Sequence, residues 1–135
     1  MNIICSSGSE QRFNNSWELR MQNRCVFCRI VQGIEPARIL YRDEEVIAFR
    51  DINPQAPFHA LVIPTQHIAS LNDIEVAQDR VLGKLFLVAK QIAHGAGYTE
   101  SGYRVAMNCG RDAGQTVFHI HLHVLAGRFL TWPPG

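Results

Sequence analysis

The stretch His119-Ile120-His121-Leu122-His123, followed by Val124-Leu125, constrains this chain more than any other feature. Successive side chains of a β-strand point to opposite faces, so the run reads as a strand with its three imidazoles on one face and Ile120, Leu122 and Val124 on the other. Two residues of strand rise set neighbouring imidazoles about 7 Å apart. Such a row can divide the roles of nucleophile, general acid and metal ligand over one substrate near neutral pH. The plain alternative is a surface strand or a chance His-rich tract. Thr, Lys and Glu usually fill such outward positions, however, and the opposite face here is uniformly apolar.

At 135 residues the chain reads as one domain, large enough to bury a core. Thirteen basic against twelve acidic residues give a formal charge of +1, so no strong field points to nucleic acid or membrane and the expected partner is a small molecule. No apolar run approaches a membrane span, and the start lacks the pattern of a signal peptide, which points to the cytoplasm. Cysteines at 5, 25, 28 and 109 then suggest thiols or a metal site more than a disulfide framework.

Residues 1 to 22 are rich in Ser, Asn and Gln without periodicity and read as a mobile extension, with the folded domain spanning 23 to 135. Met21 stands just before Asn23-Arg24-Cys25, where patterning begins, so translation starting there would make the first twenty residues dispensable. A short helix is expected from Cys25 to Gln32, stopped by Gly33, then strands from Arg38 to Arg42 and from Val46 to Asp51. Asn53-Pro54 and Ala56-Pro57 force a loop, and His59 to Ile63 reads as a buried strand closed by Pro64. Asn72 with Glu75 makes a capped start for one long helix whose stripe is Ile74, Ala77, Val81, Leu85, Val88 and Ile92, stopped at Gly95-Gly97. His94 falls in its tail, facing solvent or meeting the helix C-terminal dipole. Tyr103 to Asn108 and His119 to Leu125 complete an α+β fold built on a mainly antiparallel, five-stranded sheet with one long and one short helix.

Cys25-Val26-Phe27-Cys28 has the spacing with which two thiolates grip one zinc ion, imidazoles completing a tetrahedron. A redox dithiol or a pair of unliganded buried thiols would share this spacing, although no strand precedes the pair as it does in redox dithiols. Between the last two strands, Cys109-Gly110-Arg111-Asp112-Ala113-Gly114-Gln115 is a Gly-punctuated turn, and with Asn108 and Thr116 it offers many donors to a phosphate. A hairpin turn accounts for the glycines equally well.

The run Gly114-Gln115-Thr116-Val117-Phe118 leading into the histidines resembles the signature of the histidine triad (HIT) superfamily of nucleotide hydrolases and transferases. Asp51-Ile52-Asn53-Pro54-Gln55-Ala56-Pro57, then His59 to Pro64, and the terminal Trp132-Pro133-Pro134-Gly135, are similar to its Hint branch of purine nucleoside phosphoramidases, and the resemblance spans Cys25 to Gly135. It implies that His121 attacks the α-phosphorus and is transiently nucleotidylated, that His123 holds the phosphoryl oxygens, and that His59 completes the cluster. Asn108 and Thr116 would bond phosphate or leaving group, with Gln115 and Val117 beside them. Asp51 would accept from both ribose hydroxyls. Phe27, Ile30, Phe49 and Ile52 would sandwich the base, against the alternative of simple core packing.

The same resemblance implies a structural zinc held by Cys25, Cys28, His67 and His119. It also implies a homodimer in which the tail from Gly127 to Gly135 reaches the partner's active site; docking of Trp132 on the chain's own core is the alternative. The product would be AMP or GMP. Other readings are a dinucleoside polyphosphate hydrolase, against which the terminal Trp-Pro-Pro argues, a nucleotidyl transferase, disfavoured by His at 123, a nucleotide-binding scaffold with vestigial turnover, and a metal-binding protein using the histidine row.

Overall fold

The computed structural model describes Arg20 and residues 24–135, so the expected extension and the start at Met21 lie almost wholly outside the described residues. A short helix α1 (Val26–Val31) precedes strands β1 (Ile39–Arg42), β2 (Val46–Arg50) and β3 (Phe58–Pro64). Helix α2 (Asp79–Gly95) and strands β4 (Tyr103–Ala106) and β5 (Leu122–Ala126) follow. All five strands form one antiparallel sheet in the order β1-β2-β3-β5-β4. Helix α2 carries the chain to the far edge, where β4 lies, and β5 returns between β3 and β4.

Both faces of the sheet are covered, which explains why β2 and β3 read as continuous apolar runs and not as alternating ones. On one face Val46, Ala48, Ala60, Val62, Leu122 and Val124 meet Leu85, Val88, Ala89 and Ile92 of α2. On the other, Ile47, Phe49, Leu61 and Ile63 meet Phe27 and Ile30 of α1. The histidines of the alternating row share this second face, because Leu61 pairs with His123 and Val62 with Leu122.

Three expectations need correction. Helix α2 does not start from an Asn72 cap: Leu71–Asp73 and Val76–Gln78 are separate 3-10 turns. Ser70 caps the first, Ile74 turns extended so that its side chain packs on the core, and Glu75 with Gln78 forms a reciprocal capping box. Ala77 is consequently exposed and leaves the apolar stripe, which begins at Val81. Regular pairing in β4 stops at Ala106, before Asn108, and in β5 starts at Leu122, so His119 and His121 sit on a bend leading into the strand.

Gly127 ends β5 at a close approach: its φ is +100°, and a Cβ there would lie 2.8 Å from Pro57 Cβ and 3.2 Å from the Tyr98 hydroxyl. Gly127→Ala should therefore destabilise the fold by about 1–3 kcal/mol through backbone strain and displacement of the Pro57 loop. Gly83→Ala, on the exposed face of α2 with nothing near its Cβ position, should stabilise by about 0.5–1 kcal/mol. Denaturant melts of the two variants provide the comparison.

Candidate active site

Cys25 is the N-cap of α1 and Cys28 lies one turn on, so the helix start brings both sulfurs together, and the Cys28 N–H donates to Cys25 Sγ at 3.4 Å. His67 follows β3 and His119 precedes β5, and both present Nδ1 to the thiols. Cys28 Sγ lies 3.2 Å from His67 Nδ1 and 3.6 Å from His119 Nδ1, Cys25 Sγ lies 3.5 Å from His119 Nδ1, and the two Nδ1 atoms are 3.2 Å apart. Around a tetrahedral ion with bonds of zinc's length, nitrogen and sulfur ligands are separated by roughly 3.3–3.8 Å. The donor set therefore fits a metal ion. His119 is prepared for that role, since its Nε2–H donates to the Pro64 carbonyl at 2.9 Å and leaves Nδ1 with a free lone pair. Without a cation the thiols share a proton: the hydrogen bond from Cys28 pulls the Cys25 thiol down, and the same contact pushes Cys28 up.

A second cluster lies further along the same face. The Gln55 backbone N–H donates to His59 Nδ1 at 3.0 Å, which places the proton of neutral His59 on Nε2. That Nε2–H points at His123 Nδ1, 2.9 Å away, with Asp51 Oδ2 at 3.3 Å. His123 must accept on Nδ1, so its own proton sits on Nε2. Asp51, His59 and His123 are close enough to suggest a metal pocket, but His59 Nε2 could bind a metal only by losing the Gln55 bond. The cluster is a hydrogen-bonded relay.

His121 has the opposite tautomer. Its Nδ1 lies 2.7 Å from the His119 carbonyl oxygen, which can only accept, so the proton is on Nδ1 and Nε2 carries a bare lone pair. Phe27 meets this ring edge-on at 5.1 Å. Its centroid is 4.9 Å from that of His123, nearer than ideal strand spacing allows, because His121 precedes the regular strand. Burial keeps all three rings neutral: it lowers His59 and His121, and it brings His123 to about 4 with help from His121 and His59. A bare imidazole nitrogen beside an N–H donor is the equipment for nucleophilic attack on a centre that develops negative charge.

The remaining expected residues are less uniformly placed. Gln115 is buried and its amide is fully engaged: Nε2 donates to the carbonyls of Ala69 and Val117, and Oε1 accepts from the Gly110 N–H. It organises the turn. Thr116 is exposed, while Asn108 and Val117 are half-buried. Phe27, Ile30 and Phe49 belong to the core cluster beneath α1, whereas Ile52 is 97% exposed at a cleft of about 340 Å³ that Asp51 and His59 also line. His94 is exposed in the last turn of α2. Trp132 is not docked on the chain's own core: it is exposed, with the Arg104 guanidinium 5.9 Å from its ring centroid. Sequence reasoning missed the backbone groups of Gln55, Pro64 and His119 that set the tautomers, and backbone groups carry no residue signature. It also missed Arg38 and Arg50 in the cleft, which only the pairing of β1 with β2 brings together.

A HIT hydrolase from Legionella pneumophila is similar in structure, with 48% identity and a TM-score of 0.81 over 82% of this chain and 99% of that one. A zinc-bound histidine triad family protein from Mycobacterium smegmatis is 40% identical, with a TM-score of 0.71 over 79% and 77% of the two chains. A histidine triad nucleotide-binding protein from Candida albicans is 33% identical, with a TM-score of 0.70 over 81% and 82%. The HIT domain profile itself matches residues 32–130, and the chain belongs to the HIT domain family.

Proposed function

We propose that this protein is a purine nucleoside phosphoramidate hydrolase that releases AMP or GMP through a nucleotidyl-His121 intermediate. One observation carries the reading: the 2.7 Å bond from His121 Nδ1 to the His119 carbonyl leaves Nε2 unprotonated and turned away from that bond. In the first step His121 Nε2 forms a bond to the α-phosphorus and the P–N bond to the amine breaks. The amine leaves with a proton drawn from solvent by way of a phosphoryl oxygen, to which the His123 Nε2–H donates a hydrogen bond throughout. Water then attacks the phosphorus, the His121–phosphorus bond breaks with its electron pair returning to Nε2, and the proton from water leaves to solvent, so that His121 and His123 end in their resting tautomers. Asp51 accepts from the ribose hydroxyls, Asn108 and Thr116 hold the phosphate or leaving group, and the apolar residues around Phe27 and Ile52 take the base. The Legionella relative named as a hydrolase and the Candida relative named as nucleotide-binding support this class of activity.

Zinc in the Cys25, Cys28, His67 and His119 site would be structural, since two thiolates neutralise the ion and all four positions are filled by protein. The zinc-bound relative supports the assignment. The ion would tie α1 to the segment that carries His121. A homodimer would let the exposed edge of β4 and the tail around Trp132 find partners in a second copy. Among the described residues no helix is long and apolar enough to cross a membrane.

The deciding experiment is incubation with nucleoside phosphoramidates and dinucleoside polyphosphates, followed by acid-free trapping of labelled protein. Turnover of phosphoramidates with label on His121 is expected; binding of AMP without turnover would leave a scaffold instead. His121→Ala should lower kcat by about a thousandfold or more while AMP still binds. Cys28→Ser should lose zinc in elemental analysis and melt at a lower temperature, whereas His121→Ala retains the metal.

The relay also predicts a pH dependence of stability. An unfolded imidazole titrates near pH 6.5. Folded His123 is held at about 4, so below pH 6.5 the unfolded chain takes up a proton that the folded chain refuses. Stability from this group is complete above pH 6.5 and falls as the pH drops toward 4. The melting temperature should decline over that window, and His123→Gln should flatten the decline.

A further inference from the structure

Residues 51–57, between β2 and β3, lie outside the regular pairing of the sheet, yet they carry the donor on which the histidine relay depends. Were the Gln55 N–H to turn away, neutral His59 could place its proton on Nδ1 and accept on Nε2 instead. His123 would then have to donate from Nδ1, which leaves its own Nε2 bare. Each ring is the other's partner at 2.9 Å, and neither two facing N–H groups nor two facing lone pairs can make that contact, so the rings reverse together. The relay thus has two directions, and in one of them alone does His123 present an N–H to a phosphoryl oxygen.

Two groups of this loop favour that direction. Asp51 Oδ2 lies 3.3 Å from His59 Nε2 and draws the proton there, but in the proposed function the same carboxylate also serves the ribose hydroxyls. The Gln55 N–H, 3.0 Å from His59 Nδ1, has no second task. Gln55 is itself exposed, and its side-chain amide donates within the loop, to the Asn53 carbonyl at 3.1 Å. From outside the loop Arg128 Nε–H donates to the Gln55 carbonyl at 3.1 Å, and Arg128 Nη1 donates to the Phe129 carbonyl at 3.1 Å, so the guanidinium fork is held at both ends. Gly127, just before it, lies against Pro57, and the chain leaving β5 therefore meets the loop at two points. We infer that Arg128 is a positioning residue: by clamping Gln55 it fixes the proton of His59 on Nε2 and, through His59, that of His123 on Nε2. A guanidinium suits the task because it stays charged throughout the range in which imidazoles titrate. Its value to catalysis rests on the proposed function, in which His123 donates to the phosphoryl oxygens; the tautomers themselves do not.

Long-range proton–nitrogen correlation spectra of the isotope-labelled full chain, recorded without ligand and above the imidazole titration range, read the tautomers directly. In the unaltered protein His59 and His123 should carry the proton on Nε2, and His121 on Nδ1. In Arg128→Ala and Arg128→Gln at least about a quarter of the His59 and His123 population should pass together to the Nδ1–H form, with His121 unmoved. Arg128→Lys, which keeps a donor for the Gln55 carbonyl, should restore most of the original state. With an adenosine phosphoramidate as substrate, kcat of the Ala and Gln variants should fall about twofold or more, and the Lys variant should recover most of that loss. His59 and His123 tautomers that stay put in both the Ala and the Gln variant overturn the inference. So does a change that involves His121 equally, which is the mark of a loosened fold. A reversed relay with unchanged kcat overturns its bearing on catalysis. Absence of turnover by the unaltered protein counts against the proposed function alone, since the spectra are read without substrate.

Discussion

Much of the site depends on how one fully buried residue, His119, is bonded. Its Nε2–H is held by the Pro64 carbonyl at the end of β3, its Nδ1 faces Cys25, Cys28 and His67, and its backbone oxygen accepts the proton of His121. The first bond selects the tautomer that can ligate a metal. The last selects the tautomer that can attack an electrophile. A single residue thus joins the end of β3, the start of α1 and the His121 ring, so that an error in its orientation would propagate to both clusters.

Packing supplies what hydrogen bonds alone do not. An imidazole in water is close to half protonated near pH 6.5, and a protonated ring has no lone pair with which to attack. The cover of α1 and Phe27 over the second face of the sheet removes water from His121, and the closeness of His121 and His59 penalises charge on His123. The core therefore keeps the row neutral. Helix α2 has a separate task, since its buried stripe presses on the opposite face and holds β3 and β5 in the register that aligns Leu61 with His123.

Much of this was legible in the residues. The alternation from His119 to Val124 correctly put Ile120, Leu122 and Val124 in the core under α2, and Cys25-x-x-Cys28 announced two sulfurs at one helix start. The five strands and the helices Val26–Val31 and Asp79–Gly95 followed from apolar runs broken by Pro and Gly. What failed was local. Asn72 and Glu75 have the spacing of a cap, but the Ser70 hydroxyl and the extended Ile74 claim that segment, and capping chemistry is common enough that several starts compete. The division of labour among histidines was not legible, because the groups that decide it are the Gln55 N–H and two backbone carbonyls.

The bend before β5 is what lets one alternating row serve two chemistries. In an ideal strand the rings of residues 119, 121 and 123 would project in parallel at equal spacing, and a metal bound to the first would compete for the second. Because regular pairing begins only at Leu122, His119 turns its Nδ1 toward the cysteines while the rings of His121 and His123 come within 4.9 Å. The peptide freed from the ladder at His119 supplies the carbonyl that orients His121. Extending the strand by three residues would satisfy more of the ladder, but it would commit that carbonyl to strand pairing and leave His121 free to take either tautomer. The irregular start of β5 is therefore the structural condition for an imidazole of fixed protonation, its Nε2 bare, beside a closed donor set of two thiols and two imidazoles.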